Sequence, residues 1–333
     1  MTLRVFIHYF PPPLAAPSSL AQPRMSFGVG TGAAPSPDAP AVSVSHLNFD
    51  YGVASGGAPV LRDVSFVLPR GARMLLVGDN GAGKSSLLRV LAGRHIFRDD
   101  AVLLRGKHAF YDTSLNASRA YLSGDWGRRT VAFTGHGCAL QADIGVSEMM
   151  LDAQRAQPAR RDMLVELLGI DLAWRMHQLS DGQRRRVQIM LQLLQPSDLL
   201  LLDEITTDLD LITRQDFLAF IRRESETNGL TIVYATHIFD GLDDWATHIG
   251  YVADRTLARF GPAAEIPELL AHRASGEPAP LLRTIEGWLR AERDERRRRG
   301  CKMTEEAERA IDELRGPAGN GYLSGRFNQN SNG

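Results

Sequence analysis

Apolar positions along the chain follow two rhythms. From Val42 the texture is one of short apolar runs, and Val42 to Phe49, Val64 to Leu68 and Met74 to Val77 each read as a strand. After Lys84 the spacing becomes that of a helix, with Leu87, Leu88 and Leu91 on one side. A second helix is predicted from Gln183 to Gln195, where Val187, Met190, Leu191 and Leu194 share a face and Pro196 is the stop. Strands return at Leu199 to Leu202, apolar at every position, and at Thr231 to Ala235. Such alternation describes an α/β fold with a largely parallel sheet flanked by helices.

Outside this patterned region the texture changes. Residues 1–40 are rich in Pro, Ala, Ser and Gly and carry no acidic residue before Asp38. Two readings stay open: a disordered leader that buries too little apolar surface to order itself, or an organelle-targeting peptide, although Arg4 and Arg24 alone supply its positive charge. Met25 is a second candidate start beside Met1. Residues 41–274 form the patterned domain, residues 275–315 a charged helical extension, and residues 316–333 a Gly- and Asn-rich flexible tail. The run Arg296 to Arg299 reads as a solvated helix face, because Glu292, Asp294 and Glu295 interrupt the positive charge.

Composition narrows the partners. The 38 Lys and Arg nearly cancel the 39 Asp and Glu, so no global field argues for direct nucleic-acid binding. The two cysteines, Cys138 and Cys301, lie far apart and outside metal-ligand spacing, which suits a reducing compartment and argues against secretion. No apolar stretch reaches the ~18 to 20 residues of a membrane span.

The candidate chemistry lies at the ends of strands. Gly78, Asp79, Asn80, Gly81, Ala82, Gly83, Lys84 and Ser85 fit the phosphate-binding loop pattern, between a predicted strand and a predicted helix, with Ser86 next in line. Glycines let backbone amides wrap a β-phosphate, Lys84 would reach the β- and γ-phosphates of ATP, and the Ser85 hydroxyl would ligate Mg²⁺. Downstream, the strand Leu199 to Leu202 delivers Asp203 to hold Mg²⁺ and Glu204 to orient and polarise the attacking water. Between the two, Leu179, Ser180, Asp181, Gly182 and Gln183 open the second amphipathic helix. That helix start is an anion site with no phosphate of its own in reach, so its phosphate must come from elsewhere.

The order of these segments resembles the ATP-binding cassette family. The resemblance implies a P-loop NTPase nucleotide-binding domain with antiparallel β and helical subdomains. It also implies that Ser180, Asp181, Gly182 and Gln183 of one subunit close over the ATP of another, in a head-to-tail homodimer or a heterodimer with a second cassette. By the same resemblance, Tyr51 corresponds to the aromatic that stacks on adenine, Thr207 to Asp210 to the loop crossing the dimer interface, and His237 to the switch histidine at the γ-phosphate. Two positions depart from the family pattern: Asp181 stands where Gly is commonest, and the usual Mg²⁺-linking glutamine is missing. The stretch Thr130 to Phe133 resembles the strand before that glutamine, but Gly135 and His136 follow it, which leaves Gln141 as the nearest candidate.

Longer stretches around the signature, around Leu202 to Asp210 and around Tyr234 to Leu242 are similar to the stand-alone soluble cassette ATPases of fungi, plants and protists. The fungal member of that group is associated with the carbon-catabolite-repression (deadenylase) transcription regulator. The likeness implies a regulatory ATPase that acts on a protein complex. A detached ATP-binding subunit of a membrane transporter is the alternative. The chain shows no internal repeat and no long coiled-coil insertion, which argues against a tandem cassette and a chromosome-maintenance ATPase.

Overall fold

The computed structural model describes residues 39–52, 59–97, 100–124 and 143–315. Two sheets organise them. A four-stranded antiparallel sheet pairs β2 (Leu61–Leu68) with β1 (Val42–Phe49), then β4 (Val102–Leu104) and β5 (Lys107–His108). A six-stranded sheet runs in the order β10 (Thr256–Pro262), β9 (His248–Ala253), β3 (Arg73–Gly78), β8 (Thr231–Ala235), β7 (Leu199–Asp203) and β6 (Arg119–Ser123). All neighbours in the second sheet are parallel except β10 on β9.

Burial explains which strands sit where. β7 and β8 are buried at every position, as strands covered on both faces must be. Their alternate residues serve two cores: Leu200 and Leu202 pack into the larger one with the helices, whereas Leu199 and Leu201 join the one shared with the antiparallel sheet. β2, by contrast, buries Leu61, Val64, Phe66 and Leu68 and exposes the residues between, the pattern of a sheet wet on one side.

Seven α-helices complete the described fold: α1 (Lys84–Leu91), α2 (Leu151–Ala156), α3 (Pro158–Leu168), α4 (Asp181–Leu193), α5 (Leu211–Asn228), α6 (Pro267–Ala274) and α7 (Pro280–Arg315). α4 begins two residues before the predicted start because Ser180 and Gln183 form a reciprocal capping box there. α5 is capped by Asp210, whose carboxylate accepts from the Thr213 amide at 3.0 Å, and ends at Gly229 in the left-handed conformation.

α7 is held to the body by Leu281, Ile285 and Trp288, spaced i, i+4, i+7 and all buried. At about 1.5 to 3 kcal/mol per fully buried large side chain, these three anchor the helix firmly. The run Arg296 to Arg299 is not the purely solvated face expected. Arg296 donates to Asp79 at 3.0 Å and Arg299 to Asp254 at 2.7 Å, because the helix axis carries these side chains past the body.

The strand beside β7 was not predicted: it is β6, Arg119–Ser123, with Ser123 in register with Asp203. Thr130 to Phe133, Gly135, His136 and Gln141 lie outside the described residues. The apolar run Ala120, Tyr121, Leu122 is too short to distinguish β6 from a turn without its partner strand.

Candidate active site

Sheet order brings the predicted residues together. β3 ends in the phosphate-loop segment, its neighbour β8 leads into Thr236 and His237, and the next strand, β7, ends in Asp203 and Glu204. Register makes the convergence tight: Ala235 pairs with both Leu76 and Asp203, so all three strands finish at one level of the sheet edge.

The loop itself needs glycine at two points. Gly78 has φ 153° and a Cβ there would lie 2.3 Å from the Val252 carbonyl oxygen. Gly83, with φ 112°, sits against Leu61 and starts α1. Within the loop Lys84 is almost fully buried, and its Nζ donates to the carbonyls of Gly78 at 2.8 Å and Asp79 at 3.0 Å. Burial holds its ammonium below the usual lysine range, although Glu204, Asp203 and Asp79 attract the charge. A buried ammonium bonded only to two carbonyls is a cation ready to exchange those bonds for phosphate oxygens.

The two proposed metal donors already meet. Ser85 Oγ donates to Asp203 Oδ1 at 2.9 Å, and the other carboxylate oxygen accepts from the Tyr121 hydroxyl at 3.1 Å. Burial lifts the Asp203 carboxyl above the usual carboxylate range, with the bonds from Ser85 and Tyr121 acting against it. Tyr121, buried beside that charge, is pushed up to about 12. No group of three His, Cys, Asp or Glu among the described residues could hold a metal by itself. An Asp and a Ser hydroxyl side by side fit Mg²⁺, which takes few protein ligands and fills the rest of its shell with phosphate oxygens and water.

Glu204, next in the chain after Asp203, is held differently. Its φ of 52° is left-handed, a conformation that is strained for a non-glycine residue and recurs at functional sites. The turn leaves the carboxylate partly exposed, 3.5 Å from His237 Nδ1. An exposed carboxylate beside an exposed imidazole, at the rim of a buried Lys–Ser–Asp cluster, can accept a proton from water and keep it oriented.

Tyr51 lies near the same loop. Its hydroxyl is 2.8 Å from Ser86 Oγ, its ring meets Phe49 and His95 edge-on, and it remains 38% exposed. It is therefore neither a core residue nor a free platform; the ring stands at the surface, tethered to the start of α1.

The signature segment is built differently. Ser180 Oγ accepts from the Gln183 amide at 3.3 Å and Gln183 Oε1 from the Ser180 amide at 3.0 Å, so both are bonded within their own helix start. Asp181 is exposed and pairs with Arg184 at 3.0 Å. A Cβ at Gly182 would come 3.0 Å from the Asp208 carbonyl oxygen, which shows how closely this turn packs on the loop of Thr207 and Asp208.

Arg185 joins these parts, and sequence reasoning missed it. It donates to Asp208 Oδ2 from Nε at 3.1 Å and from Nη2 at 2.9 Å, to the Ser123 carbonyl at 2.9 Å and to Gln188 Oε1 at 2.6 Å. Arg186 adds a 2.6 Å bond to Asp210. Tyr121 was missed as well, since only strand pairing puts it beside Asp203.

Comparison with known proteins finds relatives over most of the chain. The sequence profile described as ABC transporter matches residues 61–207. ABC transporter I family member 20 of Arabidopsis thaliana is 47% identical over 265 residues, covering 78% of each chain. CCR4-associated factor 16 of Saccharomyces cerevisiae is 40% identical over 252 residues, 72% of this chain and 86% of that protein. Among solved structures, a dimeric bacterial ABC transporter cassette superposes with a TM-score of 0.54 at 17% identity, over 66% of this chain and 98% of that one.

Proposed function

The chain belongs to the ABC transporter family of ATP-binding cassettes, and from that premise we propose that it hydrolyses ATP in a head-to-tail dimer and acts as a soluble regulator of a protein complex linked to transcription or mRNA control. The single observation that carries the hydrolytic part is the convergence of Lys84, Ser85, Asp203, Glu204 and His237 on one sheet edge. The regulatory part is supported by the 40% identity with CCR4-associated factor 16, which extends over most of that protein's length.

Each residue then has one task. Lys84 trades its bonds to Gly78 and Asp79 for phosphate oxygens, and the backbone amides of the loop hold the remaining negative charge. Ser85 and Asp203 would hold Mg²⁺, which supplies charge neutralisation at the phosphates when bound. Glu204 accepts a proton from the attacking water, and His237, at 3.5 Å, lies within reach of the same water and of the terminal phosphate.

Dimerisation follows from the signature. The start of α4 turns its positive helix end to the surface, where an anion that exchanges with the capping bonds of Ser180 and Gln183 would bind, and a second subunit's γ-phosphate is the fitting ligand. No helix among the described residues is long and apolar enough to cross a membrane.

The test has two arms. Purified protein should release phosphate from ATP with Mg²⁺, and absence of turnover would remove the enzymatic reading. Affinity capture with the Glu204→Gln chain and ATP should enrich subunits of a soluble regulatory complex. Recovery chiefly in membranes, released by detergent but not by salt and accompanied by multi-span proteins, would assign the chain to a transporter instead.

A further inference from the structure

α7 reaches the phosphate loop from the far end of the chain. Arg296 Nη1 donates to Asp79 Oδ2 at 3.0 Å, across 217 residues of sequence. The guanidinium is oriented from behind: its Nη2 donates to Glu292 Oε1 at 2.7 Å, and the other oxygen of Glu292 accepts from the Tyr251 hydroxyl on β9. One turn further on, Arg299 ties α7 to Asp254 at 2.7 Å. The helix is thus fastened to β9, to the turn after it and to the phosphate loop by one file of side chains.

Asp79 is an awkward residue for its position. Its carbonyl accepts from Lys84, its carboxylate caps the Asn80 amide at 2.8 Å, and the whole turn exists to bind an anion. A carboxylate there opposes the phosphates by simple Coulomb repulsion. The bond from Arg296, then the Asn80 amide and the nearby charge of Arg293, hold that carboxylate below the usual range, Arg296 contributing most.

We infer that Arg296 is a positioning residue for nucleotide: delivered by the C-terminal helix, it neutralises Asp79 and holds its carboxylate away from the phosphates, so that affinity for a nucleoside triphosphate depends on α7 being seated. The inference rests on the phosphate loop binding ATP as proposed above. It predicts a larger effect on a triphosphate than on a diphosphate, because repulsion by Asp79 grows with phosphate charge. A merely structural role for Arg296 predicts no such difference.

The experiment is a calorimetric titration of the full chain with Mg²⁺ and either adenylyl imidodiphosphate or ADP, at low ionic strength. Variants are Arg296→Ala, Asp79→Asn, the two combined, and Arg298→Ala, whose side chain pairs with Glu295 of its own helix at 3.1 Å. Arg296→Ala should weaken triphosphate binding about 2- to 5-fold, the scale of one partly exposed ion pair, and ADP binding less. The loss should disappear when Asp79→Asn is already present, stay under about 1.5-fold for Arg298→Ala, and shrink as salt shortens the screening length to about 3 Å near 1 M. A loss that is the same with Asp79 intact and in the Asp79→Asn background, an equal loss for both nucleotides, or no loss at all would overturn the inference and leave the nucleotide site standing. Failure of the unmodified chain to bind either nucleotide would overturn the site itself.

Discussion

The phosphate-loop cluster and the signature segment both stand at helix starts, yet one is closed in the interior and the other is open at the surface. Lys84 and Asp203 are only 8% and 7% exposed, and the side chains of Lys84, Ser85, Asp203 and Tyr121 all find partners inside the protein. Ser180 and Asp181 stand at the surface, and the bonds of Ser180, Asp181 and Gln183 stay within the first turn of α4. The difference teaches that the two helix starts are held by separate sets of contacts, the arrangement expected if, as proposed, the signature serves a second subunit's nucleotide. Arg185 and Arg186 tie the signature helix to the loop of Asp208 and Asp210.

The sharpest way to break the closed half is Glu204→Gln. Turnover should fall about 10²- to 10⁴-fold, as for loss of a positioned general base, while nucleotide binding persists. Phosphate-release assays against nucleotide titration check it, and parallel loss of both would mean that Glu204 supports the fold and not the chemistry.

Breaking the open half should look different. Ser180→Arg should leave the monomer's nucleotide affinity unchanged but prevent the ATP-trapped dimer in the Glu204→Gln background, with turnover down about 10²-fold in an otherwise normal chain, the scale of losing an oxyanion-type donor. Light scattering with ATP and Mg²⁺ reads the first effect. A dimer that survives would show that the signature does not face a second subunit.

Tyr51 tests the rim of the closed site. Tyr51→Ala should weaken nucleotide binding by about 1 to 3 kcal/mol, the range for one base–aromatic stack. Tyr51→Phe should keep most of that affinity while losing the 2.8 Å contact with Ser86, so equal loss in both variants would assign the role to the hydroxyl.

The smallest effect concerns stability. Asp203 has its folded pKa raised by burial, so the folded chain keeps that proton to a higher pH than the unfolded chain does. Its contribution is favourable below the unfolded carboxylate value of about 3.9 and is lost as pH rises through the folded value. Asp203→Asn should therefore raise the melting temperature of nucleotide-free protein at pH 7 by a few degrees, on the order of 1 kcal/mol, and show no advantage near pH 3.5. A variant less stable than the original at pH 7 would show that the carboxylate's bonds to Ser85 and Tyr121 outweigh its burial.

What was legible in the chain by itself depends on neighbours in sequence. The run Leu199 to Leu202 reads as an apolar strand, the spacing after Gln183 as an amphipathic helix, and the glycines of Gly78 to Gly83 as a loop that wraps phosphate. Periodicity and local hydrogen bonding are short-range, so a linear reading captures them. Tertiary structure alone decided that β6 flanks β7, that Tyr121 meets Asp203, that Arg185 bridges signature and loop, and that Arg296 returns to Asp79. Each of those pairings joins residues 23 to 217 apart, and an arginine in a charged run carries no mark of which distant carboxylate it will find. That choice belongs to the sheet order and to the apolar anchors of α7, which fix where the polar groups arrive before any of them can pair.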